Sequence, residues 1–290
     1  MSLQHINILF VAMGRFAERK GEKMFKIGFI GAGNMGYALA KAVKSSAADT
    51  RIYISNRTKE KAEKVASELG ILASTNEEIA ENCDVIFFAV KPNILPKMID
   101  GIKEILSKRN NFTVVSMAAG INIEKLTSYL GFSCPIIRIM PNTPVSIREG
   151  MTLWCANDLV CDKTKSLFNG ILEKSGILDE INESLIDAGS AVSGCGPAFV
   201  YMFIEAFSDG AVECGLSREK AQKYAVQTLI GAASMVSKSG MHPGKLKDAV
   251  CSPGGSTIAG VHALENGAFR ATVMNAVRAS FDRTKKLGDS

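Results

Sequence analysis

The run Lys26-Ile27-Gly28-Phe29-Ile30-Gly31-Ala32-Gly33-Asn34-Met35-Gly36 constrains this chain more than any other stretch. It reads as a short buried strand, a tight glycine turn and the opening of a helix. Gly31, Gly33 and Gly36 keep the spacing G-x-G-x-x-G. In that pattern the first glycine permits the turn, the second lets backbone approach a pyrophosphate, and the third lets the helix pack closely on the strand. The helix start at Asn34 and Met35 offers free N–H groups and a positive dipole end to phosphate. A β-type run precedes the glycines and an alanine-rich amphipathic segment follows, which is the context a dinucleotide cradle requires.

From Met24 to about Glu180 short apolar strands alternate with helical stretches. Strands are expected at Arg51–Ser55, Val85–Val90, Thr113–Met117, Cys134–Met140, Met151–Cys155 and Ile177–Glu180. Helices are expected at Lys59–Leu69, Ile94–Leu106 and Asp162–Ser175. Val85–Val90 is a continuous apolar run, as in a strand buried on both faces. The alternation predicts an α/β fold, a Rossmann-type doubly wound parallel sheet over residues 24–182, with ligands at the carboxyl ends of its strands. After Glu183 strand signals vanish. Leu185–Gly215, Arg218–Ser239, Leu246–Val250, Thr257–Leu264 and Ala268–Leu287 read as helices rich in alanine and glycine. Residues 183–290 are therefore expected to form an all-helical substrate-binding domain. It is too small to hide all its apolar faces alone, and so should build a dimer. Residues 1–23 look separate, and Met24 is expected to be the natural start. The basic residues follow the apolar run Ile6–Met13 rather than precede it, the wrong order for a secretory signal.

Composition narrows the function classes. Hydrophobic residues are 47% and charged residues 22%, ordinary for a globular protein. No continuous apolar run is long enough to span a bilayer, so no membrane partner is expected. The net charge is +5 without a basic block interleaved with aromatics, so no nucleic-acid partner is expected. The seven cysteines form no C-x-x-C pair, and only three histidines exist. Reduced thiols in a cytoplasmic protein, core roles for Cys83 and Cys155, and no metal site follow.

Beyond the glycine turn, the residue after the second strand discriminates cofactors. Ser55-Asn56-Arg57-Thr58 has no carboxylate to accept from a ribose 2′-hydroxyl. Arg57 either grips a 2′-phosphate through its planar fork, favouring NADPH over NADH, or is a solvated surface arginine. Ala89-Val90-Lys91-Pro92 closes the long buried strand on the ligand side, and Pro92 ends its pairing. Lys91 reads as solvated or phosphate-facing rather than catalytic. Ser116-Met117-Ala118-Ala119-Gly120 ends the next strand with small residues that leave room for a nicotinamide. Ser252-Pro253-Gly254-Gly255-Ser256-Thr257 is either a well-made helix cap or an anion site. In the second case N–H groups of Gly255, Ser256 and Thr257 hold a small carboxylate, with the Thr257 hydroxyl beside it. Ser193-Gly194-Cys195-Gly196-Pro197-Ala198 is either a kinked helix start or a close approach of helix to cofactor.

These clusters, with Arg138-Ile139-Met140-Pro141-Asn142-Thr143-Pro144 and Leu246-Lys247-Asp248 through Ser252–Gly260, resemble the pyrroline-5-carboxylate reductase family from Met24 to the last helix. The last of them is the most specific. The resemblance implies NADPH-dependent reduction of Δ1-pyrroline-5-carboxylate to L-proline, by hydride transfer to C5 of the imine. It implies that Gly31, Gly33, Asn34, Met35, Gly36, Asn56, Arg57, Asn76, Ala89, Val90, Lys91, Pro92, Ala118 and Ala119 line the cofactor. It places Ser252, Gly255, Ser256 and Thr257 at the substrate, Glu183 near the ring nitrogen, and Thr257 as the catalytic positioning group. It also implies a helical-domain dimer, often assembled into a decamer. Cys195 stands where the family usually has serine. Two rivals are weighed against it. A β-hydroxyacid dehydrogenase would need a helical lysine after the glycine-rich junction, and Pro197 to Gly215 contains none. A non-catalytic NADPH-binding regulator would not need the intact Ser252–Thr257 cluster.

Overall fold

The computed structural model describes residues 25–47 and 50–288, so expectations about the leader lie outside the described residues. Eight strands form one sheet in the order β3-β2-β1-β4-β5-β6-β7-β8. They are β1 (Lys26–Ile30), β2 (Arg51–Ser55), β3 (Leu72–Ala73), β4 (Val85–Phe88), β5 (Thr113–Ser116), β6 (Ile136–Met140), β7 (Gly150–Ala156) and β8 (Gly176–Glu180). The first six run parallel, connected through α1 (Asn34–Ser46), α2 (Lys59–Leu69), α3 (Asn76–Asn82), α4 (Leu95–Asp100), α5 (Lys103–Ser107) and α6 (Ile123–Leu130). The chain leaves β1 toward β2 on one side and later returns to place β4 on the other. That reversal opens a crevice above the carboxyl ends of β1 and β4.

Every residue of β4, β5 and β6 is buried, which is why β4 reads as an unbroken apolar run and the other two as mostly apolar runs rather than alternating ones. One face of the sheet packs under α1, α2 and α7 (Asp162–Leu172), around Phe29, Phe87, Ile54 and Trp154. Phe29 and Phe87 are register partners on adjacent strands and stack at 4.4 Å with 12° between their planes. The other face buries Ile30, Ile86, Phe88 and Val114 under α3 to α6.

Three expectations are corrected. The sheet is mostly parallel rather than wholly so: β7 pairs with β6 antiparallel, and β8 follows β7 in parallel. Only a 3₁₀ turn at Thr143–Ile147 joins β6 to β7, too short for the crossover that a parallel neighbour needs. The helix expected at Ile94–Leu106 is two short helices, α4 and α5, separated at Gly101-Ile102. The long helix expected at Leu185–Gly215 is also two, α8 (Ile186–Ser193) and α9 (Gly196–Glu213). Pro197 stands in the first turn of α9, where a missing N–H is harmless, whereas inside a continuous helix it would break the ladder.

The chain separates into two compact units, one running up to Gly194 and the other from Cys195 to Arg283. The boundary expected at 182/183 thus falls before α8, which packs with the sheet. Ile186 is buried with Met140, Leu153 and Cys155. The second unit is helical: α9, α10 (Arg218–Ser239), α11 (Pro243–Ala249), α12 (Ser256–Asn266) and most of α13 (Phe269–Gly288). Its buried residues are small: Ser208, Ala221 and Ala225. Its large apolar side chains stay outside: Met202 is 69% and Met274 71% exposed. Within Glu183–Glu213 an 18-residue window reaches a mean hydropathy of 1.2, which with the length of the stretch meets the criteria for crossing a membrane, although the stretch is divided between α8 and α9. Small polar and charged residues interrupt it, so no unbroken apolar run marks it in the sequence.

The Phe29–Phe87 stack lies at the centre of the larger core. Replacing Phe87 with alanine should lower stability by about 3–5 kcal/mol, the usual range for truncating a buried aromatic. Urea unfolding followed by circular dichroism measures it, and a loss under about 1 kcal/mol would show that the cavity closes.

Candidate functional site

The glycine turn separates its three roles by geometry. Gly31 has φ +119°, and a Cβ there would run into the Ala89 carbonyl. A Cβ on Gly36 would run into the Gly31 carbonyl and lie 3.1 Å from the Ala89 Cβ. A Cβ on Gly33 would meet nothing within 4 Å. Gly31 and Gly36 are therefore needed for internal packing, whereas Gly33 faces open space where a ligand's phosphates would approach. Gly33 is the N-cap of α1 and supplies no side-chain cap, so the first-turn N–H groups at Asn34, Met35 and Gly36 remain available. The residues present fit a pyrophosphate.

Neighbouring strand ends hold this turn in place. The Gly31 amide donates to the Ser55 carbonyl at 2.9 Å, and the Ala89 amide to the Ile30 carbonyl at 2.8 Å. The Ala32 amide reaches the Asn56 Oδ1 at 3.3 Å. The Ser55 hydroxyl donates to the Asn76 Oδ1 at 2.6 Å, so Asn76 braces the end of β2. Asn56 and Asn76 thus act on the turn through hydrogen bonds. A groove of about 680 Å³ borders the turn, lined by Gly33, Asn34, Tyr37, Lys61 and Lys64 among others. Arg57 is exposed and makes no hydrogen bond or ion pair among the described residues, leaving its fork free.

Ala89 and Val90 are half-buried after β4, Lys91 is exposed, and Pro92 opens a 3₁₀ turn over Pro92–Ile94. Ala118 and Ala119 follow β5. The Ala118 amide donates to the Ser116 hydroxyl at 3.5 Å, and Gly120 turns at φ +75°. Gly31–Gly36, Asn56, Arg57, Ala89–Pro92 and Ala118-Ala119 therefore all stand at the carboxyl ends of β1, β2, β4 and β5.

Glu183 belongs to the same unit. Its Oε1 accepts from the Ile123 amide at 2.8 Å and from the Arg138 Nη1 at 3.3 Å. Arg138 also donates through Nη2 to the Asp187 Oδ1 at 2.7 Å. The Arg138 side chain is 4% exposed, and its Nε has no partner. In the sequence Arg138 stands out only as part of the Arg138–Pro144 motif, and nothing there points to Asp187. The available signal was an arginine inside an otherwise apolar strand, Ile136-Ile137-Arg138-Ile139-Met140. Asn142 was also missed as a brace: its Oδ1 accepts from the Met151 amide and its Nδ2 donates to the Ser193 carbonyl, both at 2.9 Å.

In the helical unit, Ser252–Thr257 forms a loop with Gly254 at φ +69° leading into α12. Gly255 is the N-cap and, like Gly33, provides no side-chain cap. Its own amide donates to the Ser252 carbonyl at 3.0 Å, so the expected trio of donors is shifted by one. The uncommitted N–H groups are those of Ser256, Thr257 and Ile258. Ser252, Ser256 and Thr257 are exposed.

The buried thiols are chemically quiet. Burial pushes Cys83 and Cys155 up to about 12 and Cys134 to about 11, far above neutral pH. Among the described residues no group of three or more His, Cys, Asp or Glu side chains is arranged to hold a metal ion.

A doubly wound domain with this turn, followed by a helical unit, defines the class: a dinucleotide-dependent oxidoreductase. The family model described as "NADP oxidoreductase coenzyme F420-dependent" matches residues 26–120, and "Pyrroline-5-carboxylate reductase dimerisation" matches residues 183–287. Pyrroline-5-carboxylate reductases of Arabidopsis thaliana and Escherichia coli are each 41% identical, over 92% and 91% of this chain and 96% and 99% of theirs. The crystal structure of Plasmodium falciparum pyrroline carboxylate reductase with NADP bound superposes with a TM-score of 0.82 at 38% identity, covering 91% of this chain and 99% of that one. The chain belongs to the pyrroline-5-carboxylate reductase family.

Gly33 and Gly36 make separable predictions. Gly33→Ala should leave the melting temperature nearly unchanged while weakening NADP⁺ binding at least about tenfold, because its Cβ occupies only the ligand's approach. Gly36→Ala should lower the melting temperature, because its Cβ strikes backbone. Calorimetric titration and thermal unfolding of both variants check the pair, and equal stability losses would contradict it.

Proposed function

We propose that this chain reduces Δ1-pyrroline-5-carboxylate to L-proline with NADPH. The observation that carries the proposal is end-to-end family similarity: the matched relatives span both the glycine turn and the Ser252–Thr257 loop. NADPH, when bound, supplies the hydride. The chain's own residues bind and orient. Asn34, Met35 and Gly36 present N–H groups to the pyrophosphate, and Arg57 takes the 2′-phosphate. Ala89–Pro92 and Ala118-Ala119 wall the cofactor. Met35, Asn56 and Asn76 complete its surroundings.

The start of α12 is the proposed anion receptor. The N–H groups of Ser256, Thr257 and Ile258, aided by the helix dipole, hold the substrate carboxylate. Ser252 and Gly255 shape the loop, and the Thr257 hydroxyl meets the ring nitrogen. Glu183 lies near that nitrogen in the same proposal, although its Oε1 is already engaged by Ile123 and Arg138. An iminium carbon accepts hydride without a strong general base, so orientation and one polar contact supply much of the barrier reduction. The proton arrives with the substrate or from water.

The exposed apolar faces of α9 and α13 are covered by a second copy, giving a dimer, and a decamer is the larger assembly proposed. Free thiols at all seven cysteines suit a cytoplasmic setting.

Purified protein should oxidise NADPH stoichiometrically with Δ1-pyrroline-5-carboxylate and yield proline. NADP⁺ binding without turnover would overturn the substrate assignment. Thr257→Ala should lower kcat by roughly tenfold, the size of one lost hydrogen bond in the transition state. Unchanged kcat would remove Thr257 from the chemistry. Arg57→Ala should reduce the ratio of kcat/KM for NADPH over NADH by about tenfold or more, the loss of a charge-assisted contact. An unchanged ratio would return Arg57 to the solvated surface.

A further inference from the structure

We infer that Arg138 is a positioning residue for the nicotinamide end of the cofactor site, acting through Glu183 on the segment that carries Ala118 and Ala119. The inference rests on those two alanines forming the nicotinamide-side wall, as proposed above. Three observations within the first unit carry it.

The first is connectivity. Ala118-Ala119 lies between the end of β5 and the start of α6. Its strand side is fixed by the sheet and by the Ser116 hydroxyl. At its other end, Ile123 is the first residue of α6, and its amide is held by Glu183 at 2.8 Å. Glu183 is far away in sequence, so this contact anchors the segment to a separate part of the fold.

The second is what aims Glu183. Its carboxylate is 32% exposed and would be free to rotate into solvent. Arg138 prevents that. The guanidinium lies buried on β6, takes Glu183 on one terminal nitrogen and Asp187 on the other, and so fixes both carboxylates relative to the sheet. A planar fork spanning two acceptors has this geometry, and a lysine does not.

The third is the packing around it. Met140, on the same face of β6 as Arg138, clusters with Ile186 of α8, and Ala119 and Ile123 pack against that cluster. The polar clamp and the apolar contacts therefore bear on one segment. The glycine turn, at the other end of the cofactor, has no hydrogen bond to Arg138, Glu183 or Asp187.

This separation supplies the test. Affinities for NADP⁺ and for adenosine 2′,5′-bisphosphate, which lacks the nicotinamide half, are measured by calorimetry on the full chain and on Arg138→Lys. The expected result is NADP⁺ binding weakened about tenfold, with adenosine 2′,5′-bisphosphate unchanged within about twofold. Equal weakening of both ligands, or no change in either, overturns the inference. Ile123→Pro serves as a second variant that keeps the ion pairs. Proline suits the first helical position, and Asn122 before it already has the extended conformation proline demands, at φ −79° and ψ 171°. Only the N–H donated to Glu183 is removed from the backbone, and the same selective loss for NADP⁺ is expected. Ala119→Leu tests the wall itself. If Ala119→Leu also fails to discriminate between the two ligands, the wall assignment is wrong. If it discriminates and neither Arg138→Lys nor Ile123→Pro does, the wall stands and the role of Arg138 falls.

Discussion

The structure of the first unit depends on a backbone crossing with no room for a side chain. At the end of β1, the Ala89 carbonyl occupies the place where a Cβ on Gly31 would sit, and the Gly31 carbonyl occupies the corresponding place for Gly36. Three segments, the ends of β1 and β4 and the first turn of α1, thereby meet at backbone contact. The hydrogen bond from Gly31 to Ser55 brings β2 into the same junction, and that from Ala89 to Ile30 ties the end of β4 to β1. Because α1 starts at this contact and is capped by no side chain, its first N–H groups open above the crevice between β1 and β4. Packing and ligand recognition are thus one requirement at Gly31 and Gly36, and separate only at Gly33, where a Cβ would touch nothing.

The two units handle apolar surface differently. The inner strands of the sheet hide their large side chains on both faces, and Phe29, Phe87, Phe88 and Trp154 are all essentially inaccessible. The helical unit buries small residues and exposes large ones. Close helix contact through Ala221, Ala225 and Ser208 leaves Tyr201, Met202, Ile230 and Met274 on the outside. Large apolar side chains exposed in such number suit an interaction face, and the family model covering this unit is one of dimerisation. The same property gives Glu183–Glu213 its membrane-like hydropathy. Apolar composition alone does not distinguish a lipid from a second protein surface.

How much of this was legible in the sequence varies with the range of the forces involved. The glycine turn was legible because its constraint is local: spacing, a buried run before it and a helix after it decide the outcome. The strands β1, β2, β4, β5, β6 and β7 were legible because burial leaves short, mostly apolar and β-branched runs, most plainly in β4, where every residue is apolar and buried. What escaped depends on partners distant in the chain. The two-residue strand β3 is short, exposed at both positions, and exists only by pairing with β2. Helices α3 and α6 are short and announced mainly by caps: the Thr75/Glu78 capping box and Asn122 accepting from the Lys125 amide. The direction of β7 is set by the length of the link from β6. Near α12 the sequence showed a loop leading into a helix start, but not which of its amides stay free. Whether the Gly255 amide is free depends on a turn that folds it back onto the Ser252 carbonyl.

Arg138 shows why the rest of the site was hidden. Its identity was plain, but its role lies in two carboxylates contributed by residues more than forty positions later. Burying a guanidinium is unfavourable in itself, and well-packed apolar replacements of buried ion pairs are often neutral or stabilising by roughly 1–4 kcal/mol. The arrangement here is not an economical way to stabilise a strand. Arg138 lies in a buried strand with its Nε unpaired, so even its hydrogen-bonding capacity is incompletely used. What it provides is direction: two acceptors held at fixed angles, one of which receives the first amide of α6. An apolar residue would fill the volume and leave Glu183 free to turn outward. The buried charge is therefore better understood through the geometry it imposes on the start of α6 than through any contribution to stability.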